Sequence, residues 1–199
     1  MLKIERVKDN IVEILKKGGV GVLPTDTLYG LVGSALSEKA VGRIYQLKKR
    51  SDDKPFIILI SDIKDLNLFG VRHMSDICLT PFWPGQVSVI LDCPNLAKEM
   101  SYLRPFNNTL AFRCPNEKWL SNVLKKTGPL VAPSANPEGK EPAENIEQAK
   151  NYFACPVGSP AGDSFGGDSV DFYVDGGELK GKPSKIIKFE NGKIIILRK

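Results

Sequence analysis

The stretch that decides the fold is VGVLPTDTLYGL, residues 20–31. Its apolar start, VGVLP, is short and ends at Pro24, which predicts a buried strand that stops where proline cannot donate to a neighbour. Two hydroxyls, a carboxylate and a phenol follow directly. Ligand sites often lie in loops at strand ends, so we expect a loop at residues 25–31 that forms part of a binding site. The alternative is a turn that Thr25 or Asp26 caps.

Helical and strand patterns alternate on both sides of this stretch. Apolar residues on one helical face before Gly18-Gly19 predict an N-terminal helix. Further helices are predicted over residues 38–48, 73–81, 117–126 and 145–153. Strands are predicted over residues 20–24, 56–60, 86–91, 109–113, 130–132, 170–174, 184–189 and 193–198. Asn191-Gly192 predicts a two-residue hairpin between the last two strands. We therefore expect an α/β (α+β) fold, with a twisted, mixed sheet of parallel and antiparallel strands and flanking helices.

Length and composition indicate an ordinary globular protein. Of 199 residues, 42% are hydrophobic and 26% are charged, which predicts one soluble domain over residues 1–199. The Gly/Pro/Ser-rich stretch at residues 156–169 predicts a surface loop. This loop does not divide the chain into two domains, because the sequence after it is too short for a second core. Lys and Arg number 28 against 23 Asp and Glu, and the net charge of +5 suits an anionic ligand such as a nucleotide or RNA.

The composition also excludes several chemistries. The single histidine, His73, rules out a multi-histidine metal site. The cysteines lack C-x-x-C or zinc-ribbon spacing, so we expect buried, reduced thiols. They are Cys78, Cys93, Cys114 and Cys155. The apolar runs are too short to span a membrane and the N-terminus is amphipathic rather than a signal peptide, so we expect a cytoplasmic protein without membrane contact.

Residues 176–184, GGELKGKPS, nearly match the phosphate-binding pattern G-x-x-x-x-G-K-[ST]. However, Pro183 stands where that pattern needs a hydroxyl that binds Mg²⁺. The segment that follows, SKIIKF, is strand-like, whereas a phosphate-binding loop must open a helix. The stretch therefore predicts a glycine-rich turn between strands.

A stronger anion site follows the second predicted helix. Lys48, Lys49, Arg50 and Lys54 place four cations within seven residues, just before a buried strand. Arginine offers a planar fork to phosphate and lysine offers a point charge, so the cluster predicts a phosphate site. The alternative is that these cations only complement the dipole at the helix end.

Two more segments carry candidate binding groups. APSAN, residues 132–136, offers a hydroxyl, an amide and backbone N–H groups at a strand end, although an Asx-type turn explains it as well. Thr109 and Arg113 are four residues apart on a strand and therefore share one face. An arginine in an apolar strand needs a carboxylate partner, which is either a protein Asp or a substrate.

Taken in order, these segments resemble the YrdC-like family, the threonylcarbamoyl-AMP synthases. The matching blocks span about Gly18 to Arg198 and read PTDTLYGLVG, KKR, PFIIL, WPGQVSVIL, TLAFRCP, APSAN, PSKII and ILR. The resemblance implies a concave basic cavity on the sheet. It also implies the short, single-domain form of the family, without the C-terminal extension domain of the longer members.

The resemblance further implies a reaction. L-threonine, bicarbonate or CO₂, and ATP with its Mg²⁺ give threonylcarbamoyl-AMP and pyrophosphate. A separate tRNA threonylcarbamoyl transferase complex then modifies adenosine 37 of tRNA. Two alternatives stay open. One is a non-catalytic module that binds RNA weakly, and the other is an enzyme that forms a carbamoyl-adenylate with another acceptor.

Matching positions give the residues their implied roles. Lys48 and Arg50 match the catalytic pair that contacts the ATP phosphates. The other implied ATP contacts are Lys54, Thr109, Ser134, Asn136 and Arg198. The implied threonine contacts are Thr27, Tyr29, Arg113, Ala132 and Ser184. No protein side chain is expected to bind the metal. The sequence departs from the family pattern at Asp26, often Glu, at Lys54, often Asn, at Leu59, often His, and at Gln86 and Lys185.

Overall fold

The computed structural model describes residues 4–50, 55–71, 78–103, 105–153, 169–190 and 192–199. The α-helices are α1 (Ile4–Lys16), α2 (Glu38–Lys48), α3 (Lys118–Thr127) and α4 (Ile146–Phe153). Two 3₁₀ helices span Ile63–Phe69 and Lys98–Leu103. The strands are β1 (Val20–Pro24), β2 (Tyr29–Ser34), β3 (Ile57–Leu59), β4 (Val87–Asp92), β5 (Thr109–Arg113), β6 (Leu130–Val131), β7 (Phe172–Tyr173), β8 (Lys185–Glu190) and β9 (Lys193–Arg198).

Within the described residues these strands form one mixed sheet in the order β7-β1-β2-β6-β3-β5-β4-β8-β9. The pairs β1/β7, β3/β5 and β4/β8 are parallel, and the other neighbouring pairs are antiparallel. The predicted fold class is therefore confirmed. The predicted hairpin is also present, because β8 and β9 pair antiparallel around Gly192, which has a φ of 72°.

The prediction of a loop over residues 25–31 is wrong in its second half. The chain turns within Thr25–Leu28 and returns as β2, which pairs antiparallel with β1. Side-chain chemistry closes the turn: the Thr25 hydroxyl accepts from the Leu28 N–H and donates to the Leu28 carbonyl. The alternative of a turn capped by Thr25 is therefore confirmed.

The helix predicted at residues 73–81 and the loop predicted at residues 156–169 fall largely on residues that the structure does not describe. Residues 72–77 of the helix predicted at 73–81, with His73, lie outside the described residues, and residues 78–81 are not helical. Most of the predicted loop at 156–169, with Cys155 before it, also lies outside them. Cys93 is buried as expected, whereas Cys78 is exposed, so the expectation of burial is wrong there.

The two faces of the sheet are covered unequally. On one face, side chains of α2 and α4 pack on the larger core cluster, which includes Ile58, Val89 and Phe112. On the other face, α1 and α3 pack against β1, β2, β3 and β6 through residues such as Leu15 and Leu124. The rest of that second face, over β4, β5 and β8, carries no described helix of this cluster. This uncovered area positions the site.

Candidate functional site

A concave cavity of about 270 Å³ opens on the uncovered part of the sheet. Three arginines, Arg50, Arg113 and Arg198, line it, and the described lining residues include no carboxylate. The other lining residues are Thr25, Thr27, Leu28, Tyr29, Gly30, Pro55, Phe56, Ile57, Ile90, Ala111, Ala132, Pro133, Ser134, Pro183, Ser184 and Ile186. The cavity is therefore the basic one that the resemblance implies, and it favours anionic ligands.

Arg113 lies at the end of β5, with only 5% of the residue exposed. Its Nη1 donates to the Thr27 hydroxyl at 2.9 Å, and its Nη2 donates to the Thr25 hydroxyl at 3.4 Å. Asp26 Oδ1 lies 3.2 Å from Nη2, an ion pair without an aligned hydrogen bond. Burial lowers the pKa of Arg113, and the Asp26 carboxylate opposes that effect. The carboxylate partner that the sequence predicts is thus present within the protein.

Asp26 ties the turn to two other parts of the chain. Its Oδ2 accepts from the Asn116 N–H at 3.0 Å, and its carbonyl accepts from Gln86 Nε2. Two of the departures from the family pattern, Asp26 and Gln86, therefore contact each other beside the turn. The role of Asn116 is not predictable from local sequence, because its contribution is a backbone N–H group 90 residues from Asp26.

Lys48 is buried behind the cavity rather than in its lining, with 3% of the residue exposed. Its Nζ donates to the Ser134 carbonyl at 2.7 Å and to Asn136 Oδ1 at 3.2 Å. The pKa of this ammonium is lowered to about 8, mainly by burial and also by the nearby charge of Arg50, while Glu138 opposes the shift. Lys48 therefore fastens the segment after β6 from behind.

The segment that Lys48 fastens carries both predicted polar groups. Ser134 lines the cavity, and its hydroxyl donates to Asn136 Oδ1 at 2.6 Å. The Asn136 amide nitrogen donates to the carbonyls of Pro137 and Lys140, at 3.0 and 2.6 Å. Asn136 is therefore a buried residue that holds this loop together by hydrogen bonds, whereas Ser134 lines the cavity.

Arg50 follows α2 after Lys49, which ends that helix in the left-handed region with a φ of 50°. The Arg50 guanidinium carbon lies 5.4 Å from the centre of the Phe56 ring, a cation–π contact. The Phe56 ring in turn stacks on Tyr45 at 4.1 Å. Arg50 lines the cavity, and its Nε is buried without a hydrogen-bond partner among the described residues.

Arg198 and Ser184 meet at the opposite wall. Arg198 Nε donates to the Ser184 carbonyl at 2.9 Å, and Nη2 donates to the Ser184 hydroxyl at 3.2 Å. That hydroxyl also lies 2.8 Å from the Ser88 hydroxyl. Burial lowers the pKa of Arg198. The end of β9 is thereby fixed at the cavity.

A strap, residues 175–184, crosses beside the turn and replaces the phosphate-binding loop that its sequence nearly matches. Tyr29 holds it, because its hydroxyl donates to the Gly177 carbonyl at 2.7 Å and accepts from the Gly176 N–H at 2.8 Å. Burial raises the pKa of Tyr29. A Cβ at Gly181 would overlap the Thr27 carbonyl oxygen. The strap leads into β8 and opens no helix, which confirms the glycine-rich turn.

The described cavity lining includes neither Thr109 nor Lys54, two of the predicted ATP contacts. Thr109 shares a face of β5 with Arg113 but does not line the cavity, and its hydroxyl donates to the Phe106 carbonyl at 2.7 Å. Lys54 lies outside the described residues. Ala132 does line the cavity.

Among the described residues no group of three His, Cys, Asp or Glu side chains could hold a metal ion, and no helix is long and apolar enough to cross a membrane.

Comparison with known sequences gives the family. The Sua5/YciO/YrdC family model, described as "Telomere recombination", matches residues 13–199, and the chain belongs to this family. Threonylcarbamoyl-AMP synthase of Bos taurus is 29% identical over 174 residues, which cover 81% of this chain and 62% of the bovine protein. That of Pyrococcus abyssi is 28% identical over 189 residues, which cover 92% of this chain and 51% of the archaeal protein. The chain thus spans about half to two thirds of these relatives.

Solved structures agree with the sheet topology. The crystal structure of P. abyssi Sua5 complexed with L-threonine superposes with a TM-score of 0.79 at 25% identity, over 96% of this chain and 53% of that one. The crystal structure of Escherichia coli YciO superposes with a TM-score of 0.77 at 23% identity, over 98% of this chain and 89% of that one. The second likeness bears on the fold alone.

Proposed function

We propose that this protein is a threonylcarbamoyl-AMP synthase, which joins L-threonine, bicarbonate or CO₂, and ATP. The observation that carries the proposal is a single cavity lined by three arginines and several hydroxyls, with no carboxylate in its described lining. The names of the relatives and the threonine complex of P. abyssi Sua5 support the same reaction. The products are threonylcarbamoyl-AMP and pyrophosphate.

Threonine would bind at the turn between β1 and β2. The Arg113 guanidinium is held there by Thr25, Thr27 and Asp26, and arginine carries enough donors to bind a further carboxylate, that of threonine. The remaining contacts would come from Tyr29, Ala132 and Ser184, which line the same cavity.

ATP would bind with its phosphates towards Arg50, Ser134 and Arg198. These side chains line the cavity, and the guanidinium groups of Arg50 and Arg198 offer planar donors to phosphate. Lys48 and Asn136 would act by holding Ser134 in place. Lys54 and Thr109 stay as predicted ATP contacts. Mg²⁺ would enter with the ATP phosphates, because the described cavity lining offers it no carboxylate.

The reaction then needs positioning and neutralisation of charge. The threonine amine attacks the carbon of CO₂ and loses a proton, or attacks bicarbonate with loss of water, to give a carbamate. A carbamate oxygen attacks the α-phosphorus, and the bond from that phosphorus to the pyrophosphate oxygen breaks. Arg50 and Arg198 would stabilise the charge on the phosphates, and no histidine or cysteine is among the described lining residues.

Later steps would take place with other proteins in the cytoplasm. The product would pass to a tRNA threonylcarbamoyl transferase complex. The basic cavity also suits weak RNA binding, so a non-catalytic RNA-binding role and a carbamoyl-adenylate former with another acceptor remain the alternatives. RNA binding that is steeply salt-dependent, without ATP turnover, would favour the first.

Pyrophosphate release from ATP tests the proposal. We expect release that requires both L-threonine and bicarbonate, and that Arg50→Ala abolishes while Lys49→Ala, with an exposed side chain next to it, preserves. Release that continues without threonine would overturn the substrate assignment. Unchanged release by Arg50→Ala would overturn the phosphate role of Arg50.

A further inference from the structure

The C-terminal hairpin gives the sheet an open edge. β9 is the last strand on its side of the sheet, and it pairs with β8 alone among the described residues. Its outer edge therefore presents backbone N–H and C=O groups to which another strand can pair.

The same strand exposes a continuous apolar run. The exposed fractions are 49% for Ile194, 38% for Ile195, 49% for Ile196 and 57% for Leu197. Ile194 and Ile196 lie opposite Phe189 and Ile187, on the face of the sheet that carries the larger core cluster. They therefore continue the apolar face of the core past Ile187, its last buried residue in this direction. An apolar edge strand that no charge interrupts indicates an interaction surface.

Charge decides what fits this edge. The hairpin from Lys185 to Lys199 has five basic residues and one acidic residue, Glu190, so it carries most of the net charge of +5. Basic residues also flank the apolar run on both sides, with Lys193 before it and Arg198 and Lys199 after it. A strand that pairs here meets an apolar centre between two positive ends.

A second copy of the chain does not match this pattern. Antiparallel pairing of two β9 strands would place Lys193 of one copy opposite Arg198 of the other. Parallel pairing would place each basic end beside the same basic end. Like charges directly opposite each other destabilise strand pairs, so both arrangements are disfavoured.

RNA fits the edge of β9 less well than a protein strand does. The run Ile194–Leu197 is aliphatic and offers no aromatic ring on which a base could stack. It also separates the basic residues at its two ends, so a phosphate chain would cross four apolar side chains between its charged contacts.

We propose that β9 is the docking edge for an extended segment of a partner protein, which pairs with it as a further strand. This segment has apolar residues along its centre and Asp or Glu at both ends. Main-chain hydrogen bonds supply the affinity in such strand addition, and the side chains supply the specificity. Because Arg198 lies on β9 and also lines the cavity, the partner is held beside the cavity. This inference does not depend on the proposed reaction.

A designed peptide tests the docking edge. The probe is a blocked, fluorescein-labelled peptide with two glutamates at each end and five alternating valines and threonines between them. We expect a saturable rise in fluorescence anisotropy and slower hydrogen exchange at the β9 amides. A version with lysines in place of the glutamates should bind at least about tenfold more weakly. A version with a central proline should lose binding, because proline cannot donate to the ladder.

Matched protein variants distinguish binding at the edge of β9 from nonspecific binding to exposed apolar side chains. The double variant Ile194→Gln and Ile196→Gln should weaken peptide binding about fivefold or more. The control, Leu36→Gln with Leu68→Gln, changes side chains that are 43% and 49% exposed elsewhere on the surface, and it should bind as the wild type does.

Several results would overturn the inference. The first is the absence of saturable binding, and the second is equal binding of all three peptides or of both double variants. Dimerisation in sedimentation that the Ile194→Gln and Ile196→Gln variant abolishes would assign the edge to a second copy instead. Direct binding of an oligouridine that the same variant abolishes would assign it to RNA.

Discussion

Replacing Lys48 by methionine tests whether this buried ammonium acts through the loop at Ser134 and Asn136. The variant keeps a long side chain but removes the donors to the Ser134 carbonyl and to Asn136 Oδ1. Ser134, which lines the cavity, then loses its support from behind. A displacement of about 1 Å in a catalytic site costs about 100-fold, so we expect kcat/KM for pyrophosphate release to fall by about this factor.

The effect on the free energy of unfolding combines two opposing contributions of Lys48. The pKa of Lys48 is about 8 instead of 10.5, so keeping the charge at neutral pH costs the folded chain about 3 kcal/mol. Each hydrogen bond from the charged group returns about 1.5–3 kcal/mol. Two such bonds return about 3–6 kcal/mol, and methionine removes both contributions, so we expect the free energy of unfolding to fall by no more than about 3 kcal/mol.

The lowered pKa also predicts a dependence on pH. Between pH 8 and 10.5 the unfolded chain binds more protons at Lys48 than the folded chain does, so this group makes folding more favourable as pH rises through that window. Activity should move in the opposite direction, because the ammonium that grips the loop is lost above about pH 8. Arg50 favours that loss, and Glu138 opposes it.

The assay is pyrophosphate release across pH 6–10, with urea unfolding of the same variants. Lys49→Met is the matched control, because the same substitution falls on the next residue, whose side chain is exposed. It should keep both the activity and its alkaline decline. If Lys48→Met turned over within threefold of the wild type, or if the wild type showed no decline above pH 8, the positioning role would be refuted.

Three further changes have expected outcomes. Arg113→Lys keeps the charge but loses the planar fork that reaches Thr27, so the KM for threonine should rise about 10- to 100-fold while the KM for ATP changes little. Gly181→Ala places a Cβ on the Thr27 carbonyl, so displacement of the strap should raise the KM for threonine about tenfold. Arg43→Met leaves the Asp171 carboxylate without its cation, 2.7 Å away in the folded chain, and should cost about 3–5 kcal/mol in urea unfolding.

Each of these three substitutions has its own control or contradicting result. Steady-state kinetics in which Arg113→Lys raised the KM for ATP instead would move Arg113 to the nucleotide end. Gly42→Ala is the control for the strap, because its Cβ meets no atom within 4 Å, and a KM effect equal to that of Gly181→Ala would remove the steric argument. An unfolding free energy for Arg43→Met within 1 kcal/mol of the wild type would show that the ion pair contributes little.

Much of the fold follows from local patterns in the sequence. Strands at Val20–Pro24, Thr109–Arg113 and Lys193–Arg198, and the helix at Glu38–Lys48, have the bounds that the apolar spacing and breaker residues predict. Strand β2 was missed because its start, Tyr29–Gly30, follows a run of polar residues that also fits a binding loop. The hydrogen bonds within the turn, which local sequence does not show, distinguish a tight turn followed by a strand from a longer loop.

The site was predicted in part. Periodicity correctly placed Thr109 and Arg113 on one face, but four residues of strand span about 13 Å, so only Arg113 reaches the cavity. A cation at a helix end is usually solvated, and local sequence does not show that Lys48 is buried under residues 86 and 88 positions away. The contact between Asp26 and Asn116 has the same long-range origin.

Mass spectrometry of the product tests the central proposal most directly. The protein is incubated with ATP, L-threonine and ¹³C-bicarbonate, and the mixture is analysed at once for threonylcarbamoyl-AMP. We expect an adenylate that contains threonine and one ¹³C atom, formed only when all three substrates are present and lost in Arg113→Gln. No such adenylate with active ATP turnover, or an adenylate without threonine, would contradict it.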